Sequence, residues 1–165
     1  MLDHVSSGDE DAILEETQIL QIVHALLLVC QRLHKESLTM MNLHPANVFI
    51  PLNAIGDLSN DLLVTDAGLA YFPRYSLRDG VSDTFTAPEL SKRDSGKLLE
   101  EVADETPGRA DIYSIGRIAL LLAVGDPDAG SEELSDNFSP EFVDFIERAL
   151  KEEPPHRYTA ETLLK

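Results

Sequence analysis

The chain has 165 residues, with 13 basic and 30 acidic side chains and a formal net charge of −17. That length fits a single domain, and an apolar share of 43% is enough to fill a core, which argues against global disorder. The charge repels nucleic acid and anionic membranes, so a basic peptide or protein surface is the electrostatically sensible partner; acidity that serves only solubility is the simpler alternative.

Cys30 is the only cysteine, which excludes an internal disulfide and gives no sign of a secreted scaffold. The opening Met1-Leu2-Asp3-His4 lacks the basic-then-apolar pattern of a signal peptide. No apolar run is long enough to span a bilayer, and the cytoplasm is the expected compartment.

In chain order, residues 1–15 read as a solvated lead-in and residues 16–165 as the folded domain. From Glu16 to Leu33, apolar residues at Ile19, Ile22, Val23, Leu26, Leu27, Cys30 and Leu33 fall at helical spacing. Leu20, Leu28 and Val29 widen that stripe, so the helix is buried on most sides. Val48-Phe49-Ile50 and Leu62-Leu63-Val64 are short apolar runs separated by turn-forming residues, which predicts a small β-hairpin. Residues 66–88 lack periodicity and read as a long loop, and Pro107-Gly108 marks a turn. Ile112 to Val124 is almost wholly apolar and belongs at the centre of the domain, with Asp111 and Gly125 as the expected caps. Ser139-Pro140 predicts an N-cap and a first-turn proline before the amphipathic face of Phe142, Phe145, Ile146, Ala149 and Leu150. Pro154-Pro155 should stop that helix, and Thr159 should cap a last one through Leu164.

Two segments carry a stronger signal. Phe85-Thr86-Ala87-Pro88-Glu89-Leu90 is followed, near the end, by Pro154-Pro155-His156-Arg157-Tyr158. In that order they resemble the Ala-Pro-Glu motif and the terminal arginine segment of protein kinases. Met40-Met41-Asn42-Leu43-His44-Pro45-Ala46-Asn47 aligns with the family's catalytic loop His-Arg-Asp-Leu-Lys-Pro-x-Asn, keeping leucine, proline and the final asparagine. Asp66-Ala67-Gly68 aligns with the magnesium motif Asp-Phe-Gly, and Asp111, Ser114 and Gly116 keep the central-helix pattern Asp-x-x-Ser-x-Gly. The five ordered matches cover about residues 16–164.

The resemblance implies a mainly α fold with a small β-hairpin, a kinase C-terminal lobe without the N-terminal lobe. Architectural positions are retained. Arg157 is expected to reach Glu89, and Asp111 to accept backbone hydrogen bonds from the catalytic loop; unrelated surface charges are the alternative for Glu89 and Arg157. Chemical positions are lost. Asn42 stands for the catalytic aspartate and has an amide that cannot act as a base. His44 stands for the phosphate-steadying lysine, Met41 for the arginine that reads loop phosphorylation, and Ala67 for the motif's phenylalanine. The residues before Glu16 hold neither a glycine-rich loop nor a lysine strand, on which the family spends about 80 residues. Asn47 and Asp66 keep two metal-ligand positions, but two ligands without phosphates seldom hold Mg²⁺, so structural hydrogen bonding is preferred and no metal or cofactor is expected.

The expected function is therefore that of a catalytically inactive kinase-like C-lobe, a protein-interaction or scaffold module of the kind found as stand-alone non-catalytic C-lobe domains. The binding surface is expected around Asn42–Asn47 and Asp66–Gly68, with a basic peptide or protein as partner, no nucleic acid and no membrane span. The alternative is a fragment of a kinase whose separate N-lobe supplies ATP binding. Lesser signals are read as structural. Cys30 and His34 stand four apart on a helix but lack a second Cys/His pair for a metal. Ser114-Ile115-Gly116 is half a nucleophile elbow, and Asp126, Asp128 and Gly130 a broken calcium loop; Ser76, Ser82, Thr84 and Thr86 are candidate phosphorylation sites for another kinase, with ordinary loop hydroxyls as the alternative.

Overall fold

A computed structural model describes residues 14–50, 62–67, 83–91, 108–134 and 136–165. Helix α1 spans Glu16–Lys35 and buries Ile19, Ile22, Val23, Leu26, Leu27 and Cys30, the stripe read from spacing. Glu16 in its first turn and Arg32, His34 and Lys35 in its last oppose the helix dipole. The helix ends where Ser37 turns left-handed (φ 57°) and the Leu38 N–H reaches back 2.9 Å to the Leu33 carbonyl.

Strands β1 (Val48–Phe49) and β2 (Leu63–Val64) pair antiparallel, with Val48 opposite Val64 and Phe49 opposite Leu63. Thr65 N–H extends the ladder to the Asn47 carbonyl at 2.9 Å. Within the stretch read as loop, Asp83–Phe85 forms one 3-10 turn before helix α2 (Pro88–Ser91). Residues 68–82, with Gly68, Ser76 and Ser82, lie outside the described residues.

Helix α3 spans Arg109–Val124, so it begins three residues before the expected start. Gly108 (φ 72°) occupies the N-cap position, and Asp111 is inside the first turn rather than capping it. The Asp111 carboxylate has other donors to satisfy, described below. At the far end Gly125 (φ 85°) is the cap, its N–H 2.7 Å from the Leu121 carbonyl.

Helix α4 (Pro140–Ala149) opens on Ser139, whose Oγ accepts from the Phe142 N–H at 3.2 Å, and Pro140 takes the first turn. The helix stops at Ala149, before the two prolines, which form their own 3-10 turn at Pro154–His156. Helix α5 (Ala160–Leu163) is capped by Thr159 through the Thr162 N–H at 3.1 Å and is one residue shorter than expected. The architecture is mainly α with one two-stranded antiparallel sheet.

Helix α3 is the axis of the core. Ile112, Ile115, Ile118, Ala119, Leu120 and Leu122 are buried, against α1 on one side and against Phe142, Phe145, Ile146 and Ala149 of α4 on the other. The α3–α4 approach is close at Gly116, where an added Cβ would stand 2.6 Å from the Ala149 Cβ. Among the described residues no helix is long and apolar enough to cross a membrane. Gly116→Val should push α3 and α4 apart and cost about 1–3 kcal/mol in urea unfolding; an unchanged midpoint would refute the close-packing account.

Candidate functional site

Asp111 is wholly buried on α3, where an ionised carboxylate survives only if its lone pairs are filled. They are filled from two other parts of the chain. Oδ1 accepts the Met41 N–H at 2.8 Å, Oδ2 accepts the Met40 N–H at 3.0 Å, and His34 Nε2 of α1 lies 2.9 Å from Oδ2. A carboxylate only accepts, so Nε2 carries the proton. Gly108 makes room for the ring: a Cβ there would lie 2.3 Å from His34 Cε1.

The loop held by this carboxylate is the stretch that resembles a catalytic loop. Met40 and Leu43 are buried in the core, and Met41 is left-handed (φ 53°), a conformation uncommon for a residue with a side chain. Asn42 is buried, and its carbonyl accepts from Asn47 Nδ2 at 2.6 Å. Asn47 Oδ1 accepts the His44 N–H at 3.1 Å. Both ends of the Asn47 amide thus work inside the loop, on Asn42 and on His44. Burial lowers the His44 pKa, and the Asp66 charge only partly restores it. Asp66 itself is exposed and left-handed (φ 61°), next to exposed Ala67.

Glu89 and Arg157 meet in a bidentate pair. Arg157 NH1 donates to Glu89 Oε1 at 2.7 Å and NH2 to Oε2 at 2.8 Å, with the Arg157 side chain 0% exposed and that of Glu89 14%. Arg157 also donates from Nε to the Lys151 carbonyl, from NH1 to Arg109 and from NH2 to Glu152. Its guanidinium lies 5.1 Å from the centroid of the Tyr113 ring.

Beside the loop, the sheet turns two apolar side chains outward. Phe49 and Leu63 are cross-strand partners, 44% and 60% exposed. Two large apolar side chains paired on an outer sheet surface, with the Asp66 carboxylate two residues beyond β2, form a surface suited to protein contact.

The lesser candidates resolve into scaffold. Ser114 Oγ is buried and donates to the Phe85 carbonyl at 2.8 Å, which fastens the segment before Ala87-Pro88-Glu89 to α3. Asp126 Oδ1 accepts the Asp128 N–H at 2.9 Å, and Asp128 Oδ1 accepts from Thr84 Oγ1 at 2.6 Å. The Cys30–His34 pair does gain a third group: their ligand atoms and one of Asp111 all lie within 4.8 Å of one another. Spacing along α1 gave no sign of Asp111, which is 77 residues from His34. Of the three side chains the Asp111 carboxylate is already occupied by two backbone N–H groups, and burial, then the Asp111 charge, pushes the Cys30 thiol well up and away from the thiolate a metal needs.

No protein-family model matches the chain. Three curated relatives align with nearly its whole length. Serine/threonine-protein kinase DCLK3 of Homo sapiens is 28% identical over 192 aligned positions, taking in 100% of this chain and 28% of the relative. Serine/threonine-protein kinase dst2 of Dictyostelium discoideum is 25% identical, over 92% of this chain and 14% of its own. Serine/threonine-protein kinase 17A of Oryctolagus cuniculus is 25% identical, over 96% and 42%. The crystal structure of Rad53 1-466 in complex with AMP-PNP matches with a TM-score of 0.68 at 20% identity, over 99% of this chain and 42% of that one. The chain is kinase-like and spans less than half the length of these proteins. Its fold, mainly helical with a two-stranded sheet, corresponds to part of a kinase domain.

Two outcomes test the site's framework. Glu89→Ala strands the buried Arg157 charge and should cost about 3–5 kcal/mol in chemical denaturation. Arg157→Lys should also lose stability, since an ammonium has three donors for acceptors set in a planar fork. Full stability in either variant would remove the pair from the framework. For His44, the folded pKa lies below the unfolded value of 6.5. The native state therefore prefers the neutral ring, and that contribution is present above about pH 6.5 and is lost as pH falls through the folded pKa. Thermal midpoints followed from pH 7.5 to 5 should decline less in His44→Gln than in the parent; identical slopes would contradict the assignment.

Proposed function

We propose that this chain is a non-catalytic kinase-like lobe that works by binding another protein, with a basic surface on the partner. Residues 16–165 form the binding lobe in this reading, residues 1–15 are a lead-in, and no cofactor is assigned. A cytoplasmic setting suits its lone, buried and reduced Cys30.

One observation carries the reading: Asn47, at the metal-ligand position of the loop, spends both ends of its amide inside the loop, on the Asn42 carbonyl and the His44 N–H. Phosphoryl transfer needs a carboxylate to take the hydroxyl proton and cations to neutralise the phosphates. At the first position stands Asn42, whose amide is no base near neutral pH. At the lysine position stands His44, biased toward its neutral form. At the metal position stands Asn47, whose Oδ1 already accepts the His44 N–H. Glu89, Asp111 and Arg157 take holding roles, keeping the loop and the sheet in shape as a surface. Phe49 and Leu63 give that surface its apolar contact, and Asp66 beside them, with a chain charge of −17, selects for a basic partner.

Serine/threonine kinases as relatives favour one rival reading, in which these residues are one part of an active kinase whose nucleotide lobe lies elsewhere. The two separate when a kinase nucleotide lobe is added as a second chain. With ATP and millimolar Mg²⁺ the purified chain should show no change in melting temperature and, with or without that lobe, no transfer of labelled phosphate to a basic acceptor protein. Asn42→Asp should leave both results unchanged. A photo-crosslinking side chain at position 63 should attach to a basic protein, and Phe49→Ser with Leu63→Ser should abolish the crosslink while leaving the circular dichroism spectrum intact. Phosphate transfer by the parent chain would overturn the proposal.

A further inference from the structure

A groove lies away from the loop and the sheet, where the start of α1 meets the end of α3. It has a volume of about 680 Å³ and is lined by Leu14, Ala123, Val124 and Phe138 together with Glu15, Glu16 and Glu133, among others. That size falls within the usual range of about 300–1,000 Å³ for ligand pockets. We infer that this groove binds a cationic amphipathic segment of another protein, taking an apolar anchor in its floor and Lys or Arg side chains along its rim.

Two features set the charge. Every ionisable side chain in the lining is a glutamate. The whole chain adds a field of the same sign, at −17. The groove is also built rather than loose. Glu16 accepts the Ser139 N–H at 2.7 Å and the Ser139 hydroxyl at 2.5 Å, tying α1 to the cap of α4. Glu133 accepts the Gly130 N–H at 2.9 Å, fixing the turn on the other wall. Phe138 is held by stacking on Phe142 at 5.0 Å between ring centroids.

The same charges exclude other occupants. The residues preceding Leu14 include Asp3, Asp9, Glu10 and Asp11 and no Lys or Arg, the wrong sign for this rim. A second copy brings another −17, and nucleic acid is excluded likewise. The occupant is a basic segment in trans. The inference shares the partner's sign with the proposal above and uses none of the residues of the Phe49–Leu63 surface.

The test uses a fluorescein-labelled 12-residue peptide of alternating Lys-rich and Leu-rich faces, and a second peptide with serine in place of every leucine. Anisotropy on the full chain should show the leucine peptide binding about tenfold tighter, with affinity falling between 0.1 and 0.5 M salt. Val124→Ser and, separately, Glu15→Lys should each weaken the leucine peptide about fivefold. Glu147→Lys, an exposed reversal on α4, and the Phe49→Ser, Leu63→Ser double variant should not. Equal affinity for both peptides, or equal loss from Glu147→Lys, would reduce the attraction to bulk charge and overturn the groove. Loss confined to the sheet variant would also overturn it while leaving the earlier proposal standing, whereas phosphate transfer would strike that proposal alone.

Discussion

Arg157 is the constraint that organises this chain. A guanidinium has five N–H bonds, and all five have acceptors here: one on the Lys151 carbonyl, one each on the two oxygens of Glu89, one on Arg109 and one on Glu152. A buried cation without those partners would cost several kcal/mol, so the segments that supply them are held to one arrangement. Those segments are the start of α2, the first residue of α3 and the stretch after α4. Two residues further along α3, Asp111 does the complementary job with a buried anion, collecting α1 through His34 and the loop through Met40 and Met41. The first turn of α3 therefore joins everything that matters for the surface. Arg109 shows the crowding: burial and then the neighbouring Arg157 charge lower its pKa.

What the sequence shows clearly is what local physics decides. The stripe of α1 emerges because its apolar spacing and its burial share one period. Ser139 and Thr159 read correctly as caps because the cap bond closes within three residues, at Phe142 and Thr162. Val48-Phe49 and Leu63-Val64 pair because short apolar extended runs need a neighbour. The expectation that failed locally is the start of α3. An aspartate ahead of an apolar run is a good N-cap by composition. Here Gly108 bends the chain into the helix three residues earlier, and Asp111 is drawn to donors 70 and 71 residues away. No window of neighbouring residues contains that fact.

The surface residues divide in the same way. Resemblance to a motif points to the positions of Asn42, His44 and Asn47, but not that Asn47 closes the loop onto Asn42 and His44. Nor does it show that the outward pair on the sheet would be Phe49 and Leu63, because period-two alternation over two residues cannot say which face is covered. The groove between α1 and α3 left no motif at all. Leu14, Glu15, Ala123, Val124 and Phe138 are ordinary residues for helix ends, and only the fold brings them together.

Cys30 packs into the core side of α1, with its thiol held against ionisation by burial and by the nearby Asp111. Disulfide reagents and maleimides are attacked by the thiolate, so they meet no nucleophile until α1 lifts from α3. Because the sequence has no other sulfhydryl, the speed at which such a reagent is consumed becomes a clock for that opening. The chain carries its own gauge of native-state breathing, readable without any label being engineered.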